Sequence, residues 1–469
     1  MQQAARRRDQ AMQEVVLRAR NAQQAWGAMT PAARARALRP WWRRILAGMG
    51  ELADALVAET GKPRFEALFH EVLPLLDSIR YQMRHVPRHL RPRRIPLHLA
   101  RHRRSELVPV PLGVVGILAP WNFPVAVGVG DAVTALLAGN AVVLKPSERT
   151  PGSSRLLERW WRETGGDPDL LIVVEGGPEA GQALIAARPD HVVFTGSVSG
   201  GRRVAVAAAE RLIPTTLELG GKAPAIVMPD ADLEATARTL VWGAFANCGQ
   251  VCAAIERVYV PRAIWAELLG HVRQHVAGLR PGLDVGRPTM PEATARWDAQ
   301  VEDAVARGVE VTRPAAPFPL PYYAPAVLAP CPPDARVMRE ETFGPLLPLC
   351  PVADVSEAVR LANDSEVGLL GYVFCRDVAE GRALAARLET GTVMVNEVIL
   401  THAMPETPWG GQKDSGWGRV HGTQGLDAMV HWRHLNTPRM PWRFKPWLHP
   451  YEERWSALAE RWLPRFWRP

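Results

Sequence analysis

The chain has 469 residues, which predicts about three structural units and leaves ample length for a buried core. With 47% hydrophobic and 22% charged residues, its composition excludes a disordered or fibrous protein and is typical of a globular one. Only five cysteines occur, all from Cys248 onwards, which argues against a secreted disulfide framework, while the formal charge of +8 leaves an acidic partner open.

The first 26 residues mix charged with apolar side chains and contain no apolar run of the kind that a signal peptide needs. No stretch of 18 apolar residues occurs anywhere in the chain, so a transmembrane helix is not expected. Together with the sparse cysteines, these observations favour a cytoplasmic protein.

Helical periodicity dominates residues 2 to about 85. In "RILAGMGELADALVAETG" the apolar residues recur at three- and four-residue steps until Gly61 ends the run. An Arg- and Pro-rich block follows at residues 84–104, with eight Arg and no acidic residue. We expect this block to be extended or linking structure.

From Pro111 the pattern changes to short β-branched runs separated by Gly and Pro, with helical stretches between them. Four predicted strands share this character: "GVVGILAP", "NAVVLKP", "LLIVVEG" and "HVVFTGS". A second series starts near Lys222 and continues to residue 396. Apolar strands that alternate with helices predict an α/β fold with parallel sheets covered on both faces.

The C-terminal 39 residues are basic, with eight Arg or Lys against three Glu. In "YEERWSALAERWL" the apolar residues fall on one helical stripe, formed by Trp455, Leu458, Ala459, Trp462 and Leu463. Such a helix suits either an anionic membrane surface or packing against a subunit. The basic blocks fit nucleic acid in charge alone, and no nucleic-acid-binding motif accompanies them, so we expect no such partner.

Two cysteines lie four residues apart in "FANCGQVCAAIERVYV", residues 245–260. With His271 and His275 they resemble the ligand pattern of a zinc finger. However, the 18 residues between Cys252 and His271 exceed the usual spacing, and their pattern is typical of a strand that leads into a helix. A disulfide is disfavoured because residues four apart on a helix are poorly placed for the bond. One of the two thiols is therefore a candidate nucleophile, which needs partners from other segments.

Five further segments carry polar residues at the ends of predicted strands or next to glycines. They are "LAPWNFP" (118–124), "LKPSE" (144–148), "FTGSVSGG" (194–201), "LELGGK" (217–222) and "EETFGP" (340–345). Each alone is weak evidence, because a buried Glu or a Gly-Ser turn is often structural, and no GxGxxG fingerprint follows a strand. Together with "GQVC", and in this order, they closely resemble the aldehyde dehydrogenase superfamily from about Pro111 to Gly422. The short N-terminal part is similar to its class-3-like branch.

The resemblance implies covalent oxidation of an aldehyde to its carboxylic acid. Cys252, which closes "GQVC", matches the family's nucleophile, which forms a thiohemiacetal and then a thioester. Asn122 matches the donor to the oxyanion, together with the backbone N–H of Cys252. Glu218 matches the base that activates water to hydrolyse the thioester, and its presence favours hydrolysis over transfer to coenzyme A. No metal is implied.

The resemblance also implies a nicotinamide cofactor. Lys145 and Glu148 match residues that hold the adenine ribose, and a carboxylate there repels a 2′-phosphate, so NAD is expected to be preferred while NADP remains an alternative. The other matching positions are Trp121, Gly196, Ser197, Glu341 and Phe343. Gly200 departs from the family, which usually places a bulkier apolar residue against the adenine. Cys248 has no required identity in the motif, and we interpret it as a small buried residue, with a redox role towards Cys252 as the alternative.

The family architecture predicts an aldehyde-dehydrogenase-like α/β fold. It divides the chain into a doubly wound NAD-binding domain (1–83 and 107–220), an α/β catalytic domain (221–395), a small oligomerisation element (84–106 and 396–435) and a basic tail (436–469). We expect an aldehyde dehydrogenase that forms a homodimer, with a long-chain or lipophilic substrate if the tail lies at the inner membrane surface. The alternative is a non-catalytic, membrane-associated structural member of the same fold.

Overall fold

The computed structural model describes residues 2–439, 445 and 448–466. Its helices are α1 Gln2–Ala28, α2 Pro31–Ala37, α3 Arg39–Ala47, α4 Met49–Thr60, α5 Arg64–Glu66, α6 Leu73–His89, α7 Gly130–Ala138, α8 Gly152–Glu163, α9 Pro178–Ala186, α10 Val198–Ala209, α11 Leu233–Phe245, α12 Trp265–Ala277, α13 Thr294–Ala306, α14 Arg336–Arg339, α15 Val355–Asn363, α16 Val378–Ala385, α17 Gly422–Asp427 and α18 Glu453–Phe466. Two wider π-helical segments, Ala67–Val72 and Pro124–Val129, precede α6 and α7.

The strands are short, as the β-branched runs predict. They are β1 Arg93–Ile95, β2 Arg103–Pro111, β3 Val114–Leu118, β4 Ala141–Lys145, β5 Leu171–Val173, β6 His191–Thr195, β7 Thr215–Glu218, β8 Pro224–Val227, β9 Arg257–Pro261, β10 Glu310–Thr312, β11 Ala326–Ala329, β12 Leu346–Val352, β13 Val367–Gly368, β14 Leu370–Phe374, β15 Thr392–Val395, β16 Gln412–Lys413, β17 Gly416–Trp417 and β18 Val430–Pro438.

The first large sheet has six strands in the order β17-β7-β6-β3-β4-β5. All of its pairs are parallel except β17 with β7. Every residue of β3 and β4 is buried, because these central strands are covered on both faces. On one face, α1 packs against α9 and β4, and Trp26 Nε1 donates to the Leu136 carbonyl at 2.8 Å.

The second large sheet has seven strands in the order β10-β11-β12-β9-β8-β14-β15. Only the β10–β11 pair is antiparallel. The prediction of an α/β fold with parallel sheets is therefore confirmed. Among the described residues there are also two small sheets, β13 with β16 and β1-β2-β18.

The chain divides into two compact units. The larger comprises Met1–Leu90 with Pro111–His431 and contains both large sheets. The smaller comprises Arg91–Val110 with Trp432–Pro469 and contains α18, the predicted tail helix. Of the basic residues predicted in the tail, Arg443 and Arg468 lie outside the described residues. Within the described ranges, no helix is long and apolar enough to cross a membrane.

Candidate active site

The carboxyl ends of four parallel strands bring the first group of predicted site residues together. β7, β6, β3 and β4 are neighbours in that order. Glu218 ends β7, Ser197 follows β6, Asn122 follows β3 and Lys145 ends β4. Carboxyl ends of parallel strands share one edge of a sheet, where ligands bind in open α/β folds.

The second group comes from loops of the seven-stranded sheet. Cys252 lies in the loop before β9, and Glu341 and Phe343 lie in the loop before β12. β9 and β12 are parallel neighbours, so both loops enter the sheet at the same edge. The backbone N–H of Gly221, between β7 and β8, donates to Glu341 Oε1 at 3.2 Å, which links the two groups.

All ten predicted site residues line one cavity of about 890 Å³ in the larger unit. They are Trp121, Asn122, Lys145, Glu148, Gly196, Ser197, Glu218, Cys252, Glu341 and Phe343. The structure thus gathers in one cavity residues that lie between positions 121 and 343 of the chain.

The Cys252 thiol lines the cavity close to two acidic residues, Glu218 and Glu341. Burial raises its pKa to about 12, and the charges of Glu218 and Glu341 contribute to this shift. The thiol is therefore protonated at neutral pH until a base accepts its proton or a positive charge comes close. Either change, a base that accepts the proton or a positive charge nearby, would activate the thiol only when other molecules are bound in the cavity.

Glu218 is buried, and neither of its carboxyl oxygens has a hydrogen-bond partner among the described residues. Burial raises its pKa well above the ordinary value, the charge of Asp131 raises it further, and Arg419 lowers it. Asp131 itself is buried at the start of α7, and this burial raises its pKa to about 7. Orphaned oxygens in a cavity wall are free to accept a hydrogen bond from water.

The Cys252 loop is held against the loop of Asn122. Asn122 donates from its side-chain Nδ2 to the Gln250 carbonyl at 2.9 Å. Asn247, Cys248 and Gly249 all have positive φ angles, of 51°, 56° and 69°. Cys248 is fully buried and, like Cys252, is a free thiol.

The other half of the cavity has the chemistry of a dinucleotide site. Ser197 caps α10 by accepting the Gly200 N–H at 3.1 Å, and the N-terminus of this 12-residue helix favours a phosphate group. Lys145 Nζ lies 3.6 Å from the Glu148 carboxylate, a cation and anion pair suited to ribose hydroxyls. Burial is the main cause that lowers the pKa of Lys145.

The remaining residues of this half also fit the cofactor. The rings of Trp121 and Phe343 meet edge to face, with centroids 5.5 Å apart. A Cβ atom on Gly220 would collide with the Glu341 carboxylate, so this glycine lets the carboxylate approach the backbone. These side chains would hold NAD(P) along the cavity.

Gly200, the position at which the sequence departs from the family, has a structural explanation. A Cβ atom built on Gly200 would lie 2.9 Å from Cζ of Phe194. Both residues line the cavity. The Phe194 ring therefore occupies the space that a larger side chain at position 200 would need, and supplies the apolar surface in its place.

Sequence reasoning missed a buried ion pair that supports the second group. Lys222 Nζ lies 2.7 Å from the Glu256 carboxylate, which also accepts the backbone N–H groups of Thr342 and Phe343 at 2.8 Å each. The available signal was a charged residue inside an apolar run, Glu256 in "AAIERVYV".

A wall of the cavity that the sequence did not predict is largely apolar. It comprises Phe123, Val127, Leu369, His402, Trp409 and Val420. The His402 ring lies 5.1 Å from the Trp409 ring and 4.6 Å from the His421 ring. Burial lowers the pKa of His402 well below its ordinary value, so this histidine is neutral at pH 7.

Comparison with known proteins identifies the class. The sequence model of the Aldehyde dehydrogenase family matches residues 1–435. Among solved structures, the NAD-dependent aldehyde dehydrogenase from Sinorhizobium meliloti superposes with a TM-score of 0.87 at 32% identity, covering 94% of this chain and 89% of that one. The chain belongs to the aldehyde dehydrogenase family, and oxidation of aldehydes is its class of reaction.

Two relatives carry names that state a substrate. The 4,4'-diapolycopene aldehyde oxidase of Methylomonas sp is 38% identical over 426 residues, which is 88% of this chain and 79% of that protein. A protein of Mycolicibacterium smegmatis, provisionally named succinate-semialdehyde dehydrogenase [NADP(+)], is 36% identical over 420 residues, 87% of this chain and 81% of its own. The names of similar proteins thus include both NAD and NADP, and they state two different aldehydes.

Proposed function

We propose that the protein oxidises a lipophilic aldehyde to its carboxylic acid through a thioester on Cys252, with NAD as the preferred cofactor. One observation carries this proposal. Cys252, Asn122 and Glu218 line the same cavity as the residues suited to a dinucleotide. The unpartnered Glu218 carboxyl supports hydrolysis of the thioester.

The proposed steps follow from the chemistry of the three side chains. The Cys252 thiol releases its proton to solvent, and its sulfur then attacks the aldehyde carbon. Asn122 stabilises the oxyanion of the thiohemiacetal; one such donor is worth about 3 kcal/mol. Cys252 and Asn122 would hold this carbon for hydride transfer to a bound NAD(P), which would supply the oxidising chemistry and leave a thioester on Cys252. Glu218 then takes a proton from water as the water attacks the thioester, which releases the acid and returns the thiol.

Because its pKa is raised, the Cys252 thiol must be activated before it can react as a nucleophile. The pKa of the thiol would fall on binding of the oxidised cofactor, because its positively charged nicotinamide would oppose the effect of Glu218 and Glu341. A thiol that is unreactive until the cofactor binds is protected from futile oxidation.

NAD is favoured by the Glu148 carboxylate, since it accepts bonds from a 2′-hydroxyl and repels a 2′-phosphate. Four arginines also line the cavity, Arg8, Arg203, Arg211 and Arg296, and their positive charges would offset part of this repulsion. We therefore expect NAD to give the higher kcat/KM and NADP to remain usable. Glu148→Gln should shift the NAD to NADP ratio of kcat/KM towards NADP by about tenfold, the equivalent of ~1.4 kcal/mol.

A lipophilic substrate is favoured over an anionic one by the composition of the cavity wall. None of its six residues carries a cation, because His402 is neutral at pH 7. Succinate semialdehyde would need a positive group to pair with its carboxylate. The name of the Methylomonas relative, an oxidase of a polyene aldehyde, supports the same direction.

The tail supports contact with an anionic membrane surface. α18 exposes Leu458, Trp462 and Leu463, of which Leu463 is 53% exposed, and carries Arg454 and Arg461 beside them. Exposed apolar and cationic residues on one helix are typical of interfacial binding. A lipophilic aldehyde dissolved in that membrane would then be close to the enzyme.

The experiment that tests this function is a substrate panel with NAD and with NADP, from short to long aliphatic aldehydes with succinate semialdehyde included. We expect NAD reduction that rises in kcat/KM with chain length and is abolished by Cys252→Ser. Absence of cofactor reduction across the panel would refute the enzyme, and a preference for succinate semialdehyde would refute the lipophilic substrate.

A further inference from the structure

A buried ion pair lies outside the residues with proposed chemical roles. Lys62 Nζ is 2.6 Å from Glu71 Oε1, and both side chains have 0% solvent exposure. Burying two charges costs several kcal/mol per ion before their attraction is counted, so such a pair is weak evidence for a stabilising role. The groups that the pair contacts indicate another role.

Both members of the pair bind the loop that carries Asn122. Lys62 Nζ donates to the backbone carbonyl of Asn122 at 2.8 Å. Glu71 Oε2 accepts the backbone N–H groups of Val125 and Ala126 at 2.9 and 3.0 Å. The pair therefore fixes this loop at Asn122 itself and again three and four residues later.

The same stretch of chain also holds the loop of the nucleophile. The Glu66 carboxylate accepts the backbone N–H of Asn247, with both oxygens at 3.0 Å. The Asn247 side-chain amide donates in turn to the carbonyls of Asn122 and Gln250, each at 3.2 Å. Residues 62–72, which we name the clamp segment, thus bind both catalytic loops from one side.

Holding this loop in place also affects the side chain of Asn122. Its Nδ2 donates one N–H to the Gln250 carbonyl at 2.9 Å, which leaves the second N–H for another acceptor. An oxyanion donor acts only if it is held close to the position where the charge develops, and a displacement of about 1 Å can reduce a rate by roughly 100-fold.

We propose that Lys62 and Glu71 are positioning residues for the oxyanion donor Asn122, and that Glu66 extends this hold to the nucleophile loop. The proposal rests on the proposed function, since it takes Asn122 as the oxyanion donor. Lys62 and Glu71 touch no reacting atom and act through the backbone of the Asn122 loop. The need to hold Asn122 in a fixed position explains why Lys62 and Glu71 are buried as a charged pair.

The test removes the pair without leaving one charge unpaired. Lys62→Met with Glu71→Gln removes both charges and keeps an amide oxygen for the N–H groups of Val125 and Ala126. We expect the rate of the first NAD(P)H turnover to fall by about 10- to 100-fold, with the Kd for the cofactor unchanged. Val272→Ala, a cavity variant in the core of α12, is the control for lost stability and should leave this rate unchanged.

A double-mutant cycle separates positioning from general support. In an Asn122→Ala background the donor is already gone, so the paired change should reduce the remaining rate by less than about threefold. An equal reduction in both backgrounds would overturn the proposal, because the pair would then act independently of Asn122. No reduction in the wild-type background would overturn it as well.

Hydrogen exchange gives a readout that does not depend on activity. In the cofactor-free protein, the paired change should accelerate exchange of the backbone amides in segments 122–126 and 247–250, while Val272→Ala should not. Unchanged exchange in both segments would contradict the clamp. If the wild type reduces no cofactor with any aldehyde, the proposed function fails, and the exchange result still decides whether the clamp segment holds the loops.

Discussion

At the scale of single residues, the cavity brings together a thiol and a carboxyl group whose pKa values are both raised by burial. Burial raises the pKa values of Cys252 and Glu218, and the charge of Glu218 adds to the shift on Cys252. Because both groups must lose protons to act, the pH profile of the enzyme should report on them directly.

Glu218→Gln should separate the two halves of the reaction. The amide cannot accept a proton from water, so we expect steady-state kcat to fall by roughly 10²- to 10⁴-fold while about one NAD(P)H per chain is still formed in a first burst. Rapid-mixing absorbance measures both phases. A burst that disappears together with the steady state would contradict a role confined to hydrolysis.

Asp131→Asn should move the pH profile of thioester hydrolysis. Glu218 acts in its ionised form, so the rate rises with pH through the raised pKa of Glu218. Removing the nearby charge of Asp131 lowers this pKa, and the rising limb should shift to lower pH. Arg419→Gln removes a charge of opposite sign and should shift the limb to higher pH; shifts in the same direction for both variants would contradict the electrostatic account.

At the scale of elements, the nucleophile loop depends on an unusual backbone. Asn247, Cys248 and Gly249 adopt positive φ in succession, and a Cβ atom on Gly249 would collide with the Gly344 carbonyl. The loop of Cys252 therefore lies in close contact with the loop of Glu341 and Phe343. Only glycine fits this position without strain.

Gly249→Ala should destabilise the protein and impair catalysis together. The positive φ alone costs about 1–2 kcal/mol for an alanine, and the collision with Gly344 adds to this cost. Thermal unfolding and kcat should both fall. Gly270→Ala, in the middle of α12 with nothing within 4 Å of the added Cβ, is the matched control and should leave both unchanged or raise stability slightly. Equal behaviour of the two variants would refute the account of the loop.

The helices and strands were largely predictable from the sequence, but the side chains that hold the catalytic loops in place were not. The runs "GVVGILAP" and "NAVVLKP" predicted β3 and β4, because a central parallel strand is apolar throughout. The ten site residues were found through motifs and share one cavity. The clamp segment was not predicted, because Lys62 and Glu71 are separated from Asn122 by more than fifty residues and carry no local pattern.

At the scale of the whole molecule, the smaller unit presents an edge strand among the residues described. β18 is at one edge of the β1-β2-β18 sheet, among the residues described, and most of its nine residues are exposed. Long exposed edge strands favour pairing with another chain. We propose that this strand contributes to the expected homodimer, for which light scattering should give twice the chain mass of 51.7 kDa.

Removal of residues 439–469 should abolish binding to vesicles that contain anionic lipid and leave kcat for a short aldehyde unchanged. If the tail binds as proposed, the bound fraction of the full chain should fall with ionic strength, because salt screens the attraction between its cations and anionic headgroups. Leu463→Glu should weaken binding more than Ser456→Glu, which makes the same charge change off the apolar stripe. Vesicle binding that survives the deletion would remove the basis for a membrane-bound tail.

The central claim is that Cys252 carries the acyl group which Glu218 hydrolyses. Mass spectrometry of the Glu218→Gln variant, mixed with NAD and a long-chain aldehyde, tests it most directly. We predict one acyl group per chain, located on the peptide that contains Cys252 and absent without NAD. An unmodified Cys252, or an acyl group on Cys248 instead, would contradict the account.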